Sequence, residues 1–258
     1  MKIALLQMRA AAGDVEANLD TIARAAAEAA GGAELLIAPE LATTGYGAGD
    51  AIRDRAEPVD GPQLRRLGDL CSRHGLALVA GFAERAGGTV YNALALLRPG
   101  AAPTVYRKTH LYADYERALF TPGEIRAAVA EYRGLKLGFL ICYDVEFAEN
   151  VRRLAVAGAD AVIVPTALPE GPHARFIATR LVPVRAFENQ VFVAYANHAG
   201  EDARFRYAGL SRVAAPDGSC LAASDDNAPA LLFAEIDPAA YEESRRANSY
   251  LSDLRSPN

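Results

Sequence analysis

Three side chains of complementary chemistry close three apolar runs. Glu40 comes directly after ELLIAP (34–39), Lys108 after PTVYR (103–107) and Cys142 after LKLGFLI (135–141). A cysteine thiolate is a nucleophile, a carboxylate can take its proton, and an ammonium can favour the thiolate and hold a developing oxyanion. Together these groups would carry out covalent acyl transfer. Taken singly, each has a plainer use: Cys142 as a small core residue, Glu40 as a solvated loop acid, Lys108 as a surface charge. Two features weigh against the plain uses. Active sites in α/β folds collect at the carboxyl ends of strands, and all three residues stand at such ends. Lysine is also scarce. Only Lys2, Lys108 and Lys136 are lysines among 27 basic residues, so an ammonium at 108 is a choice over the arginine used elsewhere.

Other chemistries find less support. His74, His110, His173 and His198 cannot be paired with Cys142 by spacing alone. There is no G-x-S-x-G, no H-E-x-x-H and no P-loop, and the glycine-rich run 45–49 lacks dinucleotide spacing. No His/Cys/carboxylate cluster has metal-ligand spacing, so neither a metal nor an organic cofactor is expected. Cys71, Cys142 and Cys220 are far apart and odd in number, which excludes a zinc ribbon or a C-x-x-C redox site and fits a reducing, cytoplasmic compartment.

The elements that must position these groups alternate along the chain. Strands are predicted at 2–8, 34–38, 76–83, 90–97, 103–107, 135–141, 160–165, 190–196, 208–215 and 230–236. Helices are predicted at 15–30, 62–74, 146–157 and 173–188. Asn18 or Asp14 stands near the start of the first helix, and Gly61-Pro62 opens the second. Continuous Val/Ile/Leu runs argue for strands buried on both faces. The runs at 76–83 and 90–97 read as a hairpin through Gly87-Gly88. A mixed α/β domain with two packed sheets and outer helices accommodates this pattern, with a single doubly wound sheet as the alternative.

The 258 residues are 51% hydrophobic and 23% charged, enough for a large core and unlike a disordered chain. A net charge of −5 argues against a nucleic-acid binder. No apolar run reaches the ~20 residues of a membrane span. The opening MKIALLQMR reads as a strand rather than a signal peptide.

The chain resembles the nitrilase, or carbon–nitrogen hydrolase, superfamily. The matching blocks are APELATTGY (38–46), VYNALALL (90–97), VYRKTHLY (105–112), LICYDVEFAE (140–149), VPTA (164–167), RAFENQVFVAYANHAG (185–200), GLSRVAAPDG (209–218) and NSYLSDLR (248–255). They span essentially the whole chain in family order, and HLYADYERALFTPGE is most similar to the aliphatic and stereoselective amidases. Two departures stand out: Ala148, where the family usually has proline after the aromatic, and Asp253-Leu254-Arg255, where two arginines often follow the aspartate. The resemblance implies a single domain with a four-layer α-β-β-α sandwich, commonly dimerised. It also implies Cys142 as nucleophile, Glu40 as general base, Lys108 as oxyanion stabiliser and Glu116 as a substrate-positioning or proton-assisting carboxylate, on a small-molecule amide. Nitriles and N-carbamoyl or ω-amide compounds are the competing substrates.

Around that set, the Tyr143 backbone N–H is expected to share the oxyanion. Tyr46, Tyr115, Phe120 and Phe176 are expected around an apolar pocket. The segment 166–176, opening on Thr166 and Ala167, is expected to set specificity, with Arg175 a possible partner for a substrate carboxylate. Asp144 and Glu146 read as framework acids, and Asn197 as a residue that faces the site or closes a turn. Two readings from other classes are a thiol hydrolase pairing Cys142 with His173 or His198, and a non-catalytic binding protein on the same fold.

Overall fold

A computed structural model describes residues 1–255. The first sheet takes β1 (Lys2–Gln7), β2 (Leu35–Ile37), β3 (Ala77–Ala86), β4 (Thr89–Leu97) and β5 (Thr104–Arg107). The second takes β6 (Val129–Tyr132), β7 (Leu135–Phe139), β8 (Ala161–Pro165), β9 (Phe192–Ala196), β10 (Arg212–Ala214) and β11 (Cys220–Ala223). The last strand, β12 (Ala230–Glu235), returns to the first sheet and pairs antiparallel with β1. The sheets run β12-β1-β2-β3-β4-β5 and β11-β10-β9-β8-β7-β6. Each has three parallel strands at its centre, β1 to β3 and β7 to β9, flanked by antiparallel ones. Two sheets replace the alternative of one doubly wound sheet.

The helices are α1 (Val15–Ala29), α2 (Ala51–Asp54), α3 (Pro62–His74), α4 (Ala113–Leu119), α5 (Ala148–Val156), α6 (Ala174–Phe176), α7 (Val182–Asn189) and α8 (Glu242–Ala247). Asp14 caps α1, its carboxylate accepting the Ala17 N–H at 3.1 Å. Strand alternation explains the layers. Ile3 and Leu5 of β1, with Leu35 and Ile37 of β2, face Leu137, Phe139, Ile163 and Ala194 of the opposite sheet. The intervening Ala4, Leu6 and Leu36 face outward, where Leu19 and Ile22 of α1 and Leu64, Leu67 and Leu70 of α3 cover them. Strands buried on both faces must be apolar throughout, which is why these runs do not alternate in sequence. Helices α5 and α7 cover the second sheet with Val151, Leu154, Val182 and Ala186.

Candidate active site

The backbone brings Glu40 in first. Its loop leaves β2 and crosses β3 at Gly81, whose N–H donates to the Pro39 carbonyl at 3.1 Å. A Cβ on Gly81 would lie 2.3 Å from the Leu41 nitrogen and 2.5 Å from the Pro39 oxygen, so the approach requires glycine. On the other side, His198 Nε2 lies 2.7 Å from the Glu40 carbonyl oxygen and holds the loop from β9. Neither residue was singled out for this role by the sequence.

Lys108 follows β5. Its N–H donates to the Asn92 carbonyl and its own carbonyl accepts from Gly123, each at 2.8 Å. The side chain is fully buried, and Nζ donates to Glu40 Oε1 and Glu116 Oε1, both at 2.6 Å. An ammonium has three N–H bonds, so one is left over after the two glutamates. Burial works against the charged form, but Glu116 and Glu40 outweigh it and Lys108 stays well above its ordinary range.

Glu116 comes from α4, a helix that the sequence pattern does not predict. Its Oε1 also accepts from the Tyr46 hydroxyl at 2.9 Å, and its Oε2 from the Tyr112 N–H at 2.8 Å. Burial pushes its carboxyl up to about 7, against the pull of Lys108. Glu40 is arranged differently. Its Oε1 accepts from Lys108 and from Asn92 Nδ2 at 2.7 Å, while its buried Oε2 has no partner. One oxygen is therefore anchored and the other keeps its lone pairs open.

Cys142 begins a 3₁₀ turn, Cys142–Glu146, between β7 and α5. Its φ of +46° is left-handed, an unusual conformation for a side chain with a Cβ and one that marks strain at a functional turn. Asp144 fixes that turn to the lysine strand. Its Oδ2 accepts from Tyr106 OH (2.8 Å) and the Ile141 N–H (3.2 Å), and its Oδ1 from Thr109 Oγ1 and the His110 N–H, both at 2.8 Å. His110 thus serves Asp144, and its ring stacks on Phe147 at 4.0 Å. Burial raises the Cys142 thiol well above its ordinary range, and Glu40 adds to this, while Lys108 and the Ala167 N–H pull back. A thiol held up in this way needs a base to take its proton. Cys71 is buried in α3 against the Leu97 carbonyl, and Cys220 is exposed on the edge strand β11.

Cys142 opens into a cavity of about 590 Å³, lined also by Tyr112, Tyr143, Glu146, Phe176, Leu181 and the loop from Ala167 to Ala174. Asn197 shapes that loop, accepting the Leu168 N–H at 2.8 Å while its Nδ2 donates to the Gly209 carbonyl at 2.6 Å. Thr166 is buried beneath it, its N–H donating to the Ala196 carbonyl at 2.8 Å. The aromatic expectation needs correction. Phe176 lines the cavity, but Tyr46, Tyr115 and Phe120 belong to a separate buried cluster behind Glu116. Tyr115 donates to the Tyr46 carbonyl at 2.6 Å there, because both hydroxyls find partners away from the cavity. Arg175 also departs from expectation. It lines a neighbouring cavity with Arg206, Asp225 and Asp226, since adjacent helical positions point some 100° apart. A further cavity of about 630 Å³, between residues 12–16 and 54–63, contains none of the residues that could do acyl chemistry.

Comparison with known proteins agrees with this geometry. The carbon-nitrogen hydrolase family model matches residues 2–246. The chain belongs to that family. A hydrolase of Pseudomonas protegens is 43% identical over 262 residues, covering 99% of this chain and 89% of the relative. An (R)-stereoselective amidase from a Pseudomonas species is 37% identical, covering 99% and 92%. Among solved structures, the Nesterenkonia sp. AN1 amidase, of the nitrilase superfamily, superposes with a TM-score of 0.88 at 35% identity, over 99% of this chain and 96% of that one. One variant of that amidase carries acrylamide added to its active-site cysteine. The chain is a carbon–nitrogen hydrolase, and its two mixed sheets between helical layers match the fold of the Nesterenkonia amidase.

Proposed function

We propose that this enzyme hydrolyses the C–N bond of a small amide through a thioester on Cys142. The observation that carries the proposal is the division of labour at Glu40: one oxygen held by Lys108 and Asn92, the other buried and free. In the proposed sequence, Glu40 Oε2 takes the thiol proton as Cys142 Sγ attacks the amide carbon. The carbonyl oxygen gains negative charge and is held by the third N–H of Lys108 and by the Tyr143 N–H, which heads a 3₁₀ turn where backbone donors lack internal partners. Collapse breaks the C–N bond, Glu40 returns the proton to the leaving nitrogen, and ammonia departs if the amide is primary. Water then gives a proton to Glu40 and its oxygen attacks the thioester. The carboxylic acid leaves and the sulfur recovers its proton from Glu40.

Glu116 acts in this scheme as the second counter-charge of Lys108, holding the ammonium in place beneath the substrate oxygen. No metal or organic cofactor takes part. The test is ammonia release from a panel of small amides, nitriles and N-carbamoyl compounds. Amide turnover abolished in Cys142→Ala supports the proposal, and turnover confined to nitriles contradicts it.

We further propose that the enzyme is cytoplasmic and works as a homodimer or larger homo-oligomer. No helix among the described residues is long and apolar enough to cross a membrane. Val156 at the end of α5 and Val184 in α7 are 63% and 50% exposed on the same outer layer, apolar surface that a second copy would cover. Light scattering at micromolar concentration should find a mass of at least twice 27.4 kDa; a monomer would refute the assembly alone.

A further inference from the structure

Glu146 closes the turn that Cys142 opens, so nucleophile and carboxylate face one cavity. Four residues of 3₁₀ helix separate their Cα atoms by about 8 Å, the reach of a short acyl chain. No protein donor among the described residues bonds the Glu146 carboxylate. The nearest cations are committed elsewhere. Lys108 Nζ serves Glu40 and Glu116. The Arg185 guanidinium donates to the Val145 carbonyl (3.1 Å), the Glu146 carbonyl (2.7 Å) and Glu188 Oε1 (2.9 Å).

The rest of the cavity sharpens the contrast. Its other acid, Glu170, is paired with Arg206 at 2.7 Å. Its walls include the rings of Tyr112, Tyr143 and Phe176 but no arginine or lysine, Arg175 being turned into the next cavity. An anionic acyl group entering here would meet an uncompensated carboxylate and, apart from the His173 imidazole, no basic side chain. A cationic one would meet a carboxylate lacking a partner and aromatic faces that also favour positive charge. Burial holds the Glu146 carboxyl above its ordinary range, with Lys108 and Arg185 pulling it back, as fits a half-desolvated acid without its own ion pair.

We propose that Glu146 is a specificity-determining residue that selects amides whose acyl chain carries a protonated amine, and rejects those carrying a carboxylate. The proposal rests on the amide-hydrolase reading of the same cavity and names its substrate class. Glu146 acts on the acyl chain, away from the bond that breaks.

Three amides of matched length test it: 4-aminobutyramide, pentanamide and succinamate, which end in ammonium, methyl and carboxylate. At pH 8 the wild-type kcat/KM should favour 4-aminobutyramide over pentanamide by about tenfold, and succinamate should be the poorest. Glu146→Gln should bring the first ratio down to about one or below, chiefly through KM. Glu146→Lys should invert the order toward succinamate. Preference of the wild-type enzyme for pentanamide or succinamate overturns the proposal, and this comparison needs no folded variant. A ratio unchanged in Glu146→Gln overturns it as well. Failure to hydrolyse any of the three overturns the amide reading and this proposal with it, whereas hydrolysis without charge preference overturns this proposal alone.

Discussion

Replacing Lys108 by methionine removes one ammonium from between two buried carboxylates. In the native site both Glu40 and Glu116 are fully buried and each lies 2.6 Å from Nζ. Removing one partner of a buried ion pair costs about 3–5 kcal/mol, because the remaining charge is stranded. Here two acids are stranded, so the upper end applies. In a chain of this size each kcal/mol moves Tm by ~2–4 °C, giving a fall of about 10–20 °C. The loss should depend on pH. The folded Glu116 carboxyl already stands at about 7 against 4.5 for a free glutamate, and without the ammonium it goes higher. A carboxyl raised in the fold holds its proton more tightly there than in the unfolded chain, so stability falls as pH rises above the unfolded value. The variant should therefore lie closest to wild type near pH 5 and furthest above pH 8. Losing an oxyanion donor should also lower kcat/KM by ~10²–10³-fold. Lys108→Arg separates charge from shape: it should recover much of the pH dependence of stability while remaining at least ~10²-fold impaired, since guanidinium cannot occupy the ammonium position. Thermal melts from pH 5 to 9 and ammonia-release kinetics read both effects. A Lys108→Met enzyme with Tm within 2 °C of wild type across that range (roughly 1 kcal/mol), or Lys108→Arg with near-native turnover, would refute the reasoning.

Gly81→Ala places a methyl against the Glu40 loop and should lower kcat at least tenfold while costing ~1–3 kcal/mol of stability, as overpacking does; native kinetics would show the loop is not so constrained. Asn92→Ala frees Glu40 Oε1 from one of its two donors, a loss of ~1–3 kcal/mol for a hydrogen bond to a charged group, and should depress kcat more than KM. An equal change in both parameters would place Asn92 in substrate binding instead. Prolonged treatment with EDTA should leave turnover unchanged, and activity restored by a divalent ion after such treatment would contradict the thiol mechanism.

How much of this was legible in the sequence follows from which interactions are local. The ends of β2, β5 and β7 were visible because an apolar run stops where a strand leaves the core, and Glu40, Lys108 and Cys142 stand at or just beyond those stops. Which side chain bonds which was not visible, since Lys108–Glu40 and Tyr106–Asp144 join residues 68 and 38 apart. Helix α4 escaped notice because it has seven residues and buries only Glu116 and Leu119, too few for a helical period. Strands β6 and β11 are four-residue edge strands, half-exposed and without a strong apolar pattern. The strand expected over 208–215 shrinks to β10 because Gly209 and Leu210 take φ of +63° and +59°. At Gly209 a Cβ would lie 2.0 Å from the Asp226 oxygen, a close approach with no local signature. The helix expected over 173–188 is interrupted by a π turn, Ile177–Leu181, just before Pro183, which has no N–H for the α-helical ladder. The expected helix over 146–157 begins instead as the last residue of the 3₁₀ turn that opens at Cys142, and α5 starts at Ala148. Chemistry alone points Arg175 and Tyr46 toward the cavity; side-chain direction, which the sequence does not carry, sends them elsewhere.

The most direct test of the central claim is the mass of the protein during turnover. Acid quench in the steady state with a slowly hydrolysed amide, followed by proteolysis and mass spectrometry, should find the acyl group on the peptide containing Cys142, and hydroxylamine should divert the same species to a hydroxamate. Cys142→Ala should fold normally and carry neither adduct nor activity, while Cys71→Ala and Cys220→Ala keep both. An adduct on Cys71 or Cys220, or turnover by Cys142→Ala, would contradict the account.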